Sequence, residues 1–191
     1  MRATSHFLLM ALSALNTRRT IRQYKEDPIP KEQLEAIIKA TLNSPTACDC
    51  QEIDLYVCQD KAKLDKMTEV TLANIPEGFR KSFEARTEQL KVKNVFTCDA
   101  PCVVFLVKNE RADPLFASID TGIVSMSLLV AASEFGLSTM CLGCVLCCSK
   151  QIEEIIGLPE GKLAMAVAIG QAREDATVGP KEIRAKAVYL E

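Results

Sequence analysis

Between residues 115 and 135 the chain is apolar around nearly the whole circumference of a helix, so any fold it adopts must hold one long helix at its centre. Gly136 can terminate that helix in a left-handed turn. The stretch does not read as a membrane span, because Asp120, Glu134, Ser125, Ser127 and Ser133 leave it too short and too polar. Around it the sequence predicts strands at Ile53 to Gln59, Cys102 to Lys108, Ser138 to Leu142 and Leu163 to Ile169. The second and fourth are almost unbroken apolar runs, the pattern of buried sheet.

Helical periodicity accounts for most of the remainder. Leu8, Leu9, Leu12 and Leu15 form a stripe ending near Asn16. Pro30 is placed as the first residue of a second helix carrying Leu34, Ile37, Ile38 and Leu42, which Asn43, Ser44 and Pro45 stop. Asp60 can cap a helix with Leu64, Met67 and Leu72, and Phe79, Phe83 and Leu90 mark another beyond Pro76 and Gly78. A shorter helix at about Lys150 to Ile156 is closed by Gly157. Four strands against five or six helices, in 191 residues with no composition break or internal repeat, predict one α+β domain with a sheet against the buried helix. The tail from Gln171 to Glu191 ends in a strand-like run, Ala187 to Leu190, that such a domain has no obvious place for, and a partner subunit is its expected destination.

Composition narrows the chemistry. With 23 basic and 25 acidic residues the formal charge is −2, which offers no field to attract nucleic acid or anionic lipid. The single histidine, His6, lies too near the start to build a Ser/His/Asp triad, a Cys/His pair or a two-histidine zinc site. Met1, Arg2 and the run Phe7 to Leu12 superficially resemble a secretory signal, but Ser13 interrupts the run and no small-residue cleavage pattern precedes Arg18 and Arg19. The stretch reads instead as an amphipathic first helix, and the expected compartment is the cytoplasm, where nine cysteines are thiols.

Eight glycines, at 78, 122, 136, 143, 157, 161, 170 and 179, make neither a GxGxxG nor a Walker A loop, so a phosphate would have to be held by side chains. Arg18, Arg19, Thr20 and Arg22 supply three guanidinium groups and a hydroxyl within five residues. The alternative is that Arg18 and Arg19 only complement the negative end of the first helix, worth ~0.3–1 kcal/mol each. Cys141, Cys144, Cys147 and Cys148 form a CxxCxxCC run that reads either as metal or cluster ligands or as small buried residues, Leu142, Val145 and Leu146 favouring the second. Cys48 and Cys50 have no histidine to activate them, and a structural role is expected.

In order along the chain these pieces resemble the FMN-dependent nitroreductase family. Arg18-Arg19-Thr20-Ile21-Arg22-Gln23-Tyr24 is similar to its RRSxRxF start, and Ser44-Pro45-Thr46-Ala47-Cys48-Asp49-Cys50-Gln51 to its SPSxxNxQPW segment. Asp120-Thr121-Gly122-Ile123 with Leu128 to Ala132 resembles the DxGxxxxxLLLAA helix. Gly136 to Gly143 resembles the GLGTCWIG strand and loop, and Gly157 to Gly161 with Ala168-Ile169-Gly170 its GLPEG and terminal glycine. The resemblance covers about residues 8 to 191 and implies a mostly antiparallel sheet flanked by helices. It also implies a homodimer with two FMN sites at the subunit interface and residues 171–191 as an arm on the partner, with 1–7 a loose extension.

By that resemblance Arg18, Arg19 and Thr20 hold the phosphate and ribityl groups, and Arg22 lies near the flavin N1/O2 edge, where a cation favours the anionic reduced form. Pro45, Thr46, Ala47 and Asp49 approach from the other subunit with Gln51 nearby, Gly143 and Cys144 place backbone near N5 and O4, and Lys181 or Arg184 completes the phosphate site. The implied reaction is ping-pong hydride transfer from NAD(P)H through the flavin to a small electron-poor acceptor such as a nitroaromatic or quinone, with no protein residue as dedicated catalyst. Asp49 stands where the family has Asn, Glu52 where it has Pro and Ile53 where it has Trp, and an added carboxylate beside the flavin would disfavour its anionic reduced form. Those departures raise a second expectation, a flavin-binding protein with little turnover, and the cysteine run a third, a cysteine-ligated metal protein.

Overall fold

The three pairings among the four strands of the computed structural model, which describes residues 11–190, are all antiparallel. The four strands are β1 (Ile53–Cys58), β2 (Cys102–Lys108), β3 (Ser138–Cys141) and β4 (Leu163–Gly170), in the order β1-β2-β4-β3. The helices are α1 (11–17), α2 (Lys31–Leu42), α3 (Lys61–Asn74), α4 (Glu77–Leu90), α5 (Ala117–Glu134) and α6 (Ser149–Ile156), with short 3-10 turns at Ala47–Asp49 and Gly143–Cys148. His6, Leu8 and Leu9 lie outside the described residues, as does the expected loose extension at 1–7. Among the described residues no helix is long and apolar enough to cross a membrane.

The unbroken apolar runs have a simple cause: β2 and β4 are covered on both faces. Successive strand side chains point to opposite sides. Cys102, Val104 and Leu106 of β2 with Val167 and Ile169 of β4 pack against Leu34 and Ile37 of α2 and Val124, Leu128 and Ala132 of α5. Val103, Phe105 and Val107 with Ala166 and Ala168 meet Leu64 and Met67 of α3 and Ile152 of α6. The result is a helix–sheet–helix sandwich of three layers.

The long helix is central, as expected, but not buried all round. Val124, Leu128, Leu129 and Ala132 face the sheet, while Ile119 is exposed and Ile123, Met126 and Val130 are only partly covered. Past its end Gly136 takes φ +70°, the conformation expected of it. Asp60 caps α3 by accepting hydrogen bonds from the Ala62 and Lys63 amides at 2.9 and 3.2 Å. Pro30 stands at the N-cap of α2, one residue before the position read for it, with its carbonyl accepting from the Leu34 amide. Gly170 closes β4 because a Cβ there would come 2.7 Å from Pro101 Cδ and 3.1 Å from Tyr24 Cδ1.

A buried carboxylate ties α6 to β4. Glu153 accepts hydrogen bonds from the Gly161 amide at 2.9 Å and the Leu163 amide at 2.6 Å. Glu153→Ala leaves two amides unpaired, and at about 1–3 kcal/mol for each we expect a loss of ~2–6 kcal/mol. Urea unfolding should show it, with Glu153→Gln, which keeps one acceptor oxygen, losing less.

The tail is held only at its start. The Lys25 amide donates to the Gln171 carbonyl, the Arg173 amide to the Gln23 carbonyl and the Thr177 amide to Gln23 Oε1. From Val178 to Leu190 the described residues are exposed and form no helix or strand, including the strand-like run at 187–190.

Candidate functional site

The basic segment and the cysteine-rich turn meet at one edge of the sheet. After α1 the chain runs beside β3, where Thr20 pairs in parallel with Thr139 and the Ile21 amide donates to the Thr139 carbonyl at 3.4 Å. Buried Ile21, Gln23 and Tyr24 anchor the segment, leaving Arg18, Thr20 and Arg22 half-buried. Burial pushes the Cys141 thiol up, and the nearby Arg18 guanidinium offsets part of that rise. Burial also pushes Cys98 up to about 11, opposed by Arg86 and Arg22.

Arg86, on α4, was not singled out in the sequence. It also acts on Cys144, which burial raises to about 11. Arg18 thus acts on Cys141, Arg22 on Cys98 and Arg86 on both Cys98 and Cys144; the Arg86 guanidinium lies over the Phe83 ring at 4.4 Å, and among the described residues none of the three is in an ion pair. Arg19 differs. Its Nη1 donates to the carbonyls of Asn16 and Arg18, both at 2.9 Å, so this residue does serve the end of α1.

Gly143 opens the turn after β3 with its backbone exposed, and a Cβ there would touch nothing within 4 Å. Cys141 and Cys147 are exposed, Cys144 is half-buried, and buried Cys148 lies 3.4 Å from Thr71 Oγ1. Among the described residues no group of three or more His, Cys, Asp or Glu side chains is placed to hold a metal ion. Beside the turn a cavity of about 600 Å³ runs along the open side of α5, lined by Thr121, Gly122 and Ser125 with Cys141, Leu146 and Met165.

The second predicted half-site lies at the other edge. Residues 44–51 lead into β1, and β1 and β3 are the two edge strands, three strand spacings or about 14 Å apart. One chain therefore does not bring Pro45, Thr46, Ala47, Asp49 and Gln51 to Arg18, Thr20 and Arg22. The loop is held by Asp120, a buried side chain of α5 whose Oδ2 accepts from the Ala47 amide at 2.8 Å, and by Thr46 Oγ1, which accepts from the Gln51 amide at 2.9 Å. Cys48, Asp49 and Gln51 have φ values of 51°, 54° and 47°, a left-handed backbone at three non-glycine residues out of four.

Asp120 was legible only as part of a motif, and the structure supplies its role. Asp120→Ala should unfold at lower urea by about 1–3 kcal/mol and become sensitive to limited proteolysis within 47–51, whereas Asp120→Asn retains the acceptor.

Two departures from the motif have an interior explanation. Glu52 is fully buried, with Oε2 accepting from the Asp113 amide and Oε1 without a partner among the described residues. Ile53 is buried as the first residue of β1. Asp49 alone of the three is exposed. In the tail Arg184 donates to Glu182 at 2.6 and 3.0 Å, and among the described residues nothing ties it or Lys181 to the Arg18 segment.

Unpaired guanidinium groups at a sheet edge, with no glycine-rich loop beside them, suit an α+β protein that receives an anionic group through side chains. The family follows from comparison with known proteins: residues 15–171 match the model of the nitroreductase family, and the chain belongs to that family. Among curated proteins it is 25% identical over 156 residues to the FMN reductase [NAD(P)H] of Bacillus subtilis (strain 168), covering 78% of this chain and 60% of that protein. It is 24% identical over 175 residues to the NADPH-flavin oxidoreductase of Vibrio harveyi, covering 89% and 69%. The chain thus spans 60–69% of the length of these two relatives. The fold is shared with the FMN-bound nitroreductase of Desulfitobacterium hafniense DCB-2, at TM-score 0.79 and 21% identity over 95% of this chain and 98% of that one. The FMN-bound nitroreductase of Bacteroides fragilis NCTC 9343 gives 0.78 and 19%, again over 95% and 98%.

Proposed function

We propose that the chain binds FMN and acts as an NAD(P)H-dependent oxidoreductase on a small electron-poor acceptor, as a homodimer whose two sites are each built from both copies. The observation that carries this reading is the segment of Arg18 and Arg22, in no ion pair among the described residues, running beside β3 next to a turn whose backbone at Gly143 is exposed, with Arg86 acting on Cys144 of that turn. That donor set fits a phosphate and an electron-rich ring edge. Relatives named for FMN, NADPH and flavin support the choice of cofactor.

In this reading Arg18 and Thr20, with Lys181 or Arg184, hold the phosphate and ribityl groups. Arg19 contributes by fixing the end of α1, from which the segment departs. Arg22 neutralises charge at the pyrimidine edge, and Gly143 and Cys144 offer backbone to the ring. Pro45, Thr46, Ala47, Asp49 and Gln51 come from the second copy. The chemistry that FMN supplies when bound is acceptance of a hydride from NAD(P)H and its delivery to an acceptor such as a nitroaromatic or quinone. The protein's part is to bind, orient and leave one ring face open.

The second copy is also what the sheet edge asks for. β1 has no partner on its outer side among the described residues, and between it and α2 lies a groove of about 640 Å³ lined by Leu34, Ile38, Leu42 and Val57. Ile183, Val188, Tyr189 and Leu190 are 67–93% exposed, and these tail residues of the second copy are the occupant we assign to it. The chain is then a single domain with residues 171–191 embracing its partner. Its setting in this reading is the cytoplasm, where the nine cysteines would be thiols.

The test is the visible spectrum of the purified protein. We expect a yellow protein that releases FMN on denaturation and oxidises NADH or NADPH with a nitroaromatic or quinone. A colourless protein that takes up no added FMN would overturn the reading. The case for a flavin carrier with little turnover rested on Asp49, Glu52 and Ile53, and burial of the last two leaves only Asp49 to support it.

A further inference from the structure

Two sulfurs to which the flavin reading gives no task share one row of the turn after β3. Gly143–Cys148 is a 3-10 turn, in which side chains three residues apart eclipse and the rise is ~2.0 Å per residue. Cys144 and Cys147 are three residues apart, so their Cα atoms stand about 6 Å from each other on one side of the turn, inside the roughly 4.4–6.8 Å range that a disulfide spans.

The other cysteines of the run do not meet that condition. Cys148 is close to Cys144 but turned to polar partners: its Sγ lies 3.8 Å from the Cys144 carbonyl oxygen and 3.4 Å from Thr71 Oγ1, and its φ of −139° leaves the helical path. Cys147 and Cys148 are sequence neighbours, whose side chains do not face each other on a helix. Cys141 ends β3 on the far side of Leu142, whose φ −107° and ψ 70° are not helical. Access differs within the favoured pair, since Cys147 is exposed and Cys144 half-buried. Burial, with Cys148 and Cys147 alongside, pushes Cys144 up to about 11, so at neutral pH it is a thiol, and the exposed Cys147 is the sulfur that a disulfide in solution meets first.

We infer that Cys144 and Cys147 form a thiol–disulfide exchange site for low-molecular-weight disulfides. The Cys147 thiolate attacks one sulfur of the incoming disulfide, forming a mixed disulfide and expelling one thiolate. Cys144, losing its proton, then attacks the Cys147 sulfur, closes the Cys144–Cys147 bond and expels the second thiolate. Two protein thiols are oxidised to one disulfide, the external disulfide is reduced to two thiols, and the two protons leave with them. Bound FMN is not needed for either step.

The experiment uses the purified full chain, as isolated, with oxidised glutathione as probe. Remaining thiols are blocked with N-ethylmaleimide after an acid quench, and peptides are mapped by mass spectrometry. The expected result is a Cys144–Cys147 cross-link, without retained glutathione and with both residues protected from alkylation. Cys144→Ser should trap glutathione on Cys147, and Cys147→Ser should leave Cys144 alkylated. Glutathione retained on Cys48 or Cys141 of the unsubstituted chain while Cys144 and Cys147 are alkylated, or a cross-link to a different cysteine, would overturn the proposal. The wild-type peptide map decides it even if a variant fails to fold.

Discussion

Removal of residues 180–191 is expected to weaken self-association by about four orders of magnitude and to strip most of the flavin. Ile183, Val188, Tyr189 and Leu190 are among the most exposed large apolar side chains described, and burying one such side chain contributes roughly 1.5–3 kcal/mol. Four of them give ~6 kcal/mol at the lower bound, and each 1.4 kcal/mol is about tenfold in a dissociation constant. Ordering the tail offsets part of the upper bound, so the lower one is used. In the proposed dimer cofactor loss would follow for two reasons: Lys181 and Arg184 leave with the segment, and separation of the copies takes the 45–51 loop away from the Arg18 edge. Light scattering and the visible spectrum of the truncated chain give both readouts. A full-length protein that is monomeric yet holds its flavin would contradict the arrangement.

Arg18→Ala and Arg22→Ala should separate two kinds of cation. A charge-assisted hydrogen bond contributes about 1.5–3 kcal/mol, so loss of Arg18 should lower FMN affinity roughly 10- to 150-fold. The loss should be equal for oxidised and reduced cofactor, because the phosphate charge does not change on reduction. Arg22 lies four residues further along the same segment, where it and Arg86 both act on Cys98. If its charge serves the ring, the same energy falls mainly on the reduced form and the two-electron potential drops by ~30–65 mV. Titration of the apoprotein in both oxidation states and a potentiometric measurement distinguish the roles. Equal affinity losses with an unmoved potential would remove the assignment to Arg22.

Much of the fold could be read from local pattern because local pattern caused it. The run Cys102 to Lys108 is apolar since both its faces are covered, and it forms β2 over those same residues. Asp60 announces α3 through its own side chain, two and three residues from the amides it caps. Contacts spanning long sequence separations left no such trace. Asp120 reaches Ala47, 73 residues away, and Arg86 acts on Cys98 and Cys144 from a helix that otherwise reads as a polar surface element. Glu52 looked like a carboxylate near the cofactor, yet its side chain turns inward to the Asp113 amide. Pro30 missed its position by one residue, since a fixed φ suits the N-cap of α2 as well as its first turn. The proposed site was legible only in halves, because its two segments lie at opposite sheet edges.

The left-handed backbone at Cys48, Asp49 and Gln51 bears on how such a loop can change over generations. Each non-glycine residue in that conformation costs about 1 kcal/mol or more, least for aspartate. The shape is therefore imposed by Asp120 and the surrounding chain against local preference. Mutational drift at these positions is channelled: glycine and asparagine are accepted with a gain in folding free energy, and branched residues such as valine or isoleucine are refused. Side-chain chemistry at the loop can therefore vary only among residues that tolerate the turn. Variation along this loop is then confined to a narrow alphabet at these three positions and is wider at the neighbouring Pro45 and Thr46, which lie outside the left-handed region.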